Sequence, residues 1–419
     1  MGTASGTKPE LLHAEMSLVS RTAAVRGSAP DFLCGSAVDK VHQFHQSLSV
    51  YHETPLIRLS GLAQKLGVRD VFVKDESKRF GLNAFKGLGG SFALASIICQ
   101  RLGLDIASTT FADLQKEEYR EKIQNMVFAT ATDGNHGKGV SWAAGLLGCQ
   151  THVYMPQGSS ELRAQAIRDA GLAHVEITDM GYDDTVRYVS GLCEKHGWTL
   201  VQDTSWSGYE DIPTYIAQGY TTMGWEMVRQ LREQGIDAPT HVFLQAGVGA
   251  MAGSITGYLV DVYGERTPTI TIVEPENIAC IYESAKAGQP QAVESEENTI
   301  MAGLNCGEPC TITWPTLRDC ADHYVKCPDW VAAFGMRVLA HPNGKDETIV
   351  SGESGASTTG AFCTIMERPD LADIRTRIGL DENSVVLLIS TEGDTDPESY
   401  RRIVYEGAYA PPELKKQNI

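Results

Sequence analysis

The chain predicts an α/β protein made of two doubly wound domains with mostly parallel sheets. Two observations carry that prediction. Short apolar runs alternate with longer amphipathic stretches over most of the chain, the order that lays helices over the faces of a parallel sheet. At 419 residues, the chain is also long enough for two domains with a large buried core.

Taken in order, residues 1 to about 45 read as irregular and polar, wrapping a domain or reaching a neighbouring subunit. His42, His45 and His52 lie close together, and His42/His45 have helical metal spacing, but no third ligand is in view, so packed or surface histidines are expected. Thr54–Leu59 is extended and Leu62–Leu66 a short helix. Asp70–Glu76 is a strand entering a polar turn, and Gly90–Ile98 a packed helix. Two helical stretches follow up to Ile123. Strands are then expected at Met126–Ala131, Cys149–Met155, His174–Ile177 and Thr199–Gln202, with helices at Lys138–Leu147, Glu161–Ala170 and Tyr182–His196. Residues 203–215 are turn-like and aromatic, a crossing point between domains. Ile216–Gln234 is a long helix, His241–Gln245 and Thr269–Val273 are strands, Ser351–Gly355 is a Gly/Ser turn, and Val385–Ser390 is a final strand.

Composition excludes several classes. A net charge of -18 with no long Lys/Arg run argues against nucleic acid and anionic membranes. The uncharged run Ala246–Val260 is too short and glycine-rich to span a bilayer. The N-terminus shows no secretory pattern, and Gly6 stands where a myristoylation signal has Ser or Thr. Ten scattered cysteines without a CxxC pair read as a reduced, cytoplasmic protein with no metal site. A disulfide among Cys280, Cys306 and Cys310 stays open.

Three turns could carry chemistry. Lys86, in Asn83-Ala84-Phe85-Lys86-Gly87-Leu88-Gly89-Gly90, sits at a strand-to-helix junction. Desolvation there would favour the neutral amine that a carbonyl cofactor requires. The bland reading is a surface lysine beside a glycine turn. Thr132-Asp133-Gly134-Asn135-His136-Gly137 is a second such turn. Its N–H groups could hold a carboxylate, Asn135 offers an amide, and Asp133 could act as a base, or Asp and Asn could simply cap the helix. Gly247-Val248-Gly249-Ala250-Met251-Ala252 opens a helix after an apolar strand, which makes a phosphate site. It also satisfies the dinucleotide pattern, with Glu274 placed as a ribose-binding acid, so an NAD-dependent oxidoreductase is the rival reading.

The combination resembles the fold type II pyridoxal-phosphate enzymes, the tryptophan synthase beta-like architecture, whose lysine, asparagine and glycine motifs come in this order. The chain departs from the usual motifs at Ala84 and Leu88, at Asp133, and at Ser390-Thr391-Glu392-Gly393-Asp394. Those departures resemble the diaminopropionate ammonia-lyase family. So do Met301-Ala302-Gly303-Leu304-Asn305-Cys306-Gly307 and Ser351-Gly352-Glu353-Ser354-Gly355, and the likeness runs from about residue 40 to 410.

The resemblance implies that Lys86 carries pyridoxal 5'-phosphate and that the backbone of Gly247, Val248, Gly249, Ala250 and Met251 cradles its phosphate. Asn135 would bond the ring hydroxyl, and Ser390 or Thr391 would face the ring nitrogen. Thr132, Asp133, Gly134, Asn135 and His136 would meet an amino-acid substrate. It implies α,β-elimination of 2,3-diaminopropionate to pyruvate and ammonia, with Lys86 the base for the L-isomer; Asp133 is read as the base for the D-isomer from the opposite face, or as a charge partner of the extra amino group. It also implies a homodimer in which 1–92 with 206–419 form the larger, cofactor-binding domain and 93–205 the smaller. A serine/threonine dehydratase is the alternative within the same chemistry. A protein that binds the cofactor without turnover is the alternative outside enzymes.

Overall fold

In the computed structural model, which describes residues 10–13 and 16–411, the strands form two separate sheets. Met1, Gly2 and Gly6, on which the acylation reading turns, lie outside the described residues. In chain order the strands are β1 (Leu11–Leu12), β2 (Ser17–Ser20), β3 (Leu56–Arg58), β4 (Asp70–Asp75), β5 (Val127–Ala131), β6 (Gln150–Met155), β7 (Ala173–Ile177), β8 (Thr199–Leu200), β9 (His241–Gln245), β10 (Thr269–Pro275), β11 (His323–Cys327) and β12 (Val385–Ser390). The larger sheet has the order β1-β2-β11-β10-β9-β12-β4-β3, and the smaller β7-β6-β5-β8.

From β11 to β4 the larger sheet is parallel, and its edges are antiparallel. The smaller sheet is parallel throughout. Sequence explains the centre: β9 is His-Val-Phe-Leu-Gln and β12 is Val-Val-Leu-Leu-Ile-Ser, and both are buried at every position. A strand covered by helices on both faces has to read as a continuous apolar run.

Beneath the start of the lysine turn lies a buried ion cluster. Lys74 Nζ donates to Glu226 Oε2 at 2.6 Å, and Arg79 bonds both Glu226 and Glu76. All four side chains are shielded from water. Such a cluster is stable only because each charge meets its opposite, and it ties β4 to the long helix Asp211–Glu233.

Several expectations need correction. Residues 1–45 are not irregular throughout: β2 pairs with β11, and Ser36–Gln46 is a helix. Val38, Val41 and Phe44 repeat at helical spacing and are buried, so the signal for that helix was present. As expected, the histidines of this helix are packed: His45 is bonded to Thr222, and His42 stacks on Trp225 at 3.5 Å. The region from Ala93 to Ile123, expected as two helical stretches, holds most of the helix Gly87–Leu102, a one-turn helix Phe111–Leu114 and the helix Glu117–Gln124. The supposed Gly/Ser turn is mostly the start of the helix Glu353–Glu367.

Candidate active site

Every chemical motif lies at the carboxyl end of a parallel strand, where open α/β sheets bind ligands. In the larger sheet β9, β12 and β4 are neighbours. Their ends deliver the glycine loop, Thr391 with Glu392, and the lysine turn. In the smaller sheet β5 and β8 are neighbours, and their ends deliver Thr132–His136 and Asp203. These ends border one cavity of about 700 Å³, counted to its solvent-open mouth. Lys86, Thr132, Asp133, Asn135, His136, Thr391 and the loop from Gly247 to Ala252 all line it. Gly134 and Ser390 do not.

Lys86 precedes the first residue of the helix Gly87–Leu102. Glycines let two other segments approach it: a Cβ at Gly139 would fall 2.9 Å from the Lys86 carbonyl carbon, and one at Gly89 would fall 2.7 Å from the Tyr220 ring. Lys86 Nζ donates to Asp203 Oδ2. Burial alone would lower the lysine's pKa, but Asp203, with Tyr220 and Asp133, outweighs it and holds the ammonium charged. The expectation of an amine neutralised by desolvation is therefore corrected, because the partner charge is larger than the burial effect. For Asp203, burial is outweighed by His136 and Lys86, and its pKa falls to about 2.

Asp133 accepts no hydrogen bond among the described residues. Burial raises its pKa to about 6, with Lys86 and Arg163 opposing and Asp203 and Glu392 adding to the rise. Asn135 is not a helix cap. Gly134 takes that position at φ 151°, and the loop is closed by Thr132 Oγ1, which accepts from the N–H of Gly134 at 2.9 Å and of Gly137 at 3.0 Å. The Asn135 amide is thereby left to donate to Glu392 Oε2. His136 bonds the Val201 carbonyl through Nε2 at 2.8 Å, and burial lowers its pKa while Asp203 opposes the shift.

The glycine loop leads into the helix Ala250–Tyr263, and Gly249 is left-handed at φ 86°. The helical ladder starts only at Gly253 N–H, which donates to the Gly249 carbonyl at 2.8 Å. Among the described residues, the N–H groups from Gly247 to Ala252 meet no protein acceptor. Six adjacent free donors at a helix start suit a phosphate group. Glu274 does not fit the ribose role. It accepts from the N–H groups of Ile281 and Tyr282 at 2.8 and 2.6 Å, capping the helix Cys280–Ala287.

Thr391 Oγ1 accepts from Gln245 Nε2 at 3.1 Å, which leaves its own proton free for the cavity. The Ser390 hydroxyl is turned to Ser351 at 2.8 Å. Asp203 and Glu392 were not singled out from the sequence. The available signal was position: Asp203 closely follows β8 and Glu392 follows β12.

A lysine, a run of free backbone donors, an amide and a neutral hydroxyl at adjoining strand ends fit pyridoxal phosphate, and they define the class as a pyridoxal-phosphate enzyme of fold type II. Residues 48–390 match the family described as pyridoxal-phosphate dependent enzyme. The chain is 49% identical over 384 residues to the diaminopropionate ammonia-lyase of Escherichia coli K12, covering 92% of this chain and 95% of that one. It superposes on the holo crystal structure of the Escherichia coli enzyme with a TM-score of 0.88 at 46% identity, covering 96% and 99% of the two chains. A further structure of that enzyme, in complex with an aminoacrylate-PLP azomethine reaction intermediate, gives 0.88 at 47% identity with the same coverage. The chain thus belongs to the pyridoxal-phosphate-dependent enzymes and, within them, to the diaminopropionate ammonia-lyase family.

Proposed function

We propose that the protein converts 2,3-diaminopropionate to pyruvate and two ammonia, taking up one water. The observation that carries the choice of substrate is the charge of the cavity. Its charged side chains are Lys86 against Asp133, Asp203 and Glu392. A surplus of carboxylates in a site of reduced dielectric favours an amino acid with a second ammonium over serine or threonine.

When bound, pyridoxal phosphate supplies the electron sink that acidifies the Cα proton and drives out the β-substituent. Lys86 would hold it, with the N–H groups of 247–252 taking its phosphate, Asn135 its ring hydroxyl, and Thr391 rather than Ser390 its ring nitrogen. A neutral hydroxyl at that nitrogen limits the sink and suits elimination. Lys86, neutral once the substrate has displaced it from the cofactor, takes the Cα proton of the L-isomer, and Asp133, raised towards neutrality, takes that of the D-isomer from the opposite side. The leaving amino group departs with a proton, and the Lys86–Asp203 pair stores one beside the reacting carbon. The N–H groups of Asp133, Asn135 and His136, which meet no protein acceptor among the described residues, are left for the substrate carboxylate, since those of Thr132, Gly134 and Gly137 are already bonded.

The division into 1–92 with 206–419 and 93–205 is supported by the two sheets, whose strands fall on either side of those boundaries. Among the described residues no helix is long and apolar enough to cross a membrane. A homodimer remains part of this reading on the family's account, and a cytoplasmic location on that of the scattered cysteines. Product stoichiometry tests the substrate: ammonia and pyruvate in a two-to-one ratio from diaminopropionate, released faster than pyruvate from serine. Faster turnover of serine or threonine would make the protein a dehydratase instead.

A further inference from the structure

The chain beyond β12 does more than end a strand. Residues Thr391–Asp394 lie antiparallel against the lysine turn. Phe85 N–H donates to the Thr391 carbonyl at 3.1 Å, and Gly393 N–H to the Asn83 carbonyl at 3.0 Å. Ala84 and Glu392 face each other in this pairing. Asn83, held at φ 60°, also donates through Nδ2 to Asp394 at 3.1 Å. The approach is close enough that a Cβ at Gly393 would fall 2.1 Å from Asn83 Oδ1.

Glu392, in the middle of this pairing, is buried at 5% exposure. Its carbonyl accepts from Gly352 N–H at 3.0 Å, and Oε1 accepts from Ser354 N–H at 3.1 Å. Oε2 accepts from Asn135 Nδ2 at 2.5 Å. One residue thus joins the lysine turn, the start of the helix Glu353–Glu367 and the asparagine loop of the other sheet. A carboxylate can only accept, so it also decides which end of the Asn135 amide faces it.

We propose that Glu392 is a positioning residue for the elimination: it fixes the Asn135 amide with Nδ2 towards it and couples the 132–136 loop of the smaller sheet to the lysine turn of the larger. This rests on the reading of the cavity given under the proposed function. Glu392→Gln keeps the shape and the bond from Ser354 N–H but sets an amide nitrogen against Nδ2. Asn135→Asp sets two carboxylates against each other. Combining them restores a bond with donor and acceptor exchanged.

The test is hydrogen exchange of the 132–137 backbone in the pyridoxal-phosphate-loaded enzyme, with β12 as internal control and kcat and KM measured alongside. Each single variant should exchange about 10- to 100-fold faster in that loop, the size of one lost charge-assisted bond, with β12 unchanged. In Glu392→Gln, kcat should fall about tenfold or more while KM moves by less than about threefold. The double variant should regain loop protection to within about threefold of the parent. Unchanged loop exchange in Glu392→Gln, failure of the double variant to regain protection, or an unaltered kcat would each overturn the proposal. Exchange does not depend on turnover. An unmodified enzyme that released no pyruvate would instead count against the proposed reaction and leave the exchange result standing.

Discussion

Replacing Asp133 by Asn separates the two faces of the reaction. The substitution is nearly isosteric, and it breaks no hydrogen bond among the described residues. The loop bonds are made by Thr132 instead. What is lost is a half-buried carboxylate whose pKa desolvation raises to about 6. A group with that pKa is ionised roughly ten to one at pH 7 and roughly one to ten at pH 5. The parent enzyme's kcat/KM on D-2,3-diaminopropionate should therefore rise about tenfold between pH 5 and 7. A lost general base costs about 10²- to 10⁴-fold. Asp133→Asn should lose that much on the D-isomer and flatten its pH profile near 6, while the L-isomer, served by Lys86, falls less than about tenfold. The assay is pyruvate release from each pure enantiomer between pH 5 and 9. Equal losses on both isomers, or D-activity unchanged, would refute Asp133 as the base for one face.

Three further outcomes are expected. Asp203→Asn removes the charge that keeps Lys86 protonated against burial, so the pH midpoint for its reaction with pyridoxal phosphate should drop; an absorbance titration reads the shift. Gly249→Ala puts a side chain on a residue at φ 86° and a Cβ 2.8 Å from Leu317 Cδ1. It should cost about 1–2 kcal/mol of stability in denaturant titration, plus whatever the clash adds, and weaken binding of pyridoxal phosphate at the cradle. Glu274→Ala removes a cap on the helix Cys280–Ala287 and should cost about 1–3 kcal/mol of stability without changing affinity for pyridoxal phosphate, and added NAD should not raise the Tm.

Much of this site was legible because its motifs sit at strand ends, and strand ends are marked by apolar runs giving way to glycine and polar residues. Lys86, Asn135 and the loop from Gly247 were found that way. The charge state of Lys86 was not. The apolar neighbours of Lys86 are local in sequence, whereas Asp203 arrives from the other sheet more than a hundred residues away. Glu392 was missed for the same reason: its partners Asn135 and Ser354 are joined only by the fold. Ser390 and Thr391 could not be separated because consecutive strand residues point to opposite faces, and which face meets the cavity depends on register. The strand β2 was hidden by its length of four residues.

The most direct test of the central claim is the absorbance spectrum of the purified protein before and after adding DL-2,3-diaminopropionate, with pyruvate followed in the same cuvette. A visible band that depends on Lys86, changes on addition and is accompanied by pyruvate is the predicted result. A protein that shows no band even after pyridoxal phosphate is supplied, or a band without pyruvate from diaminopropionate, would contradict it.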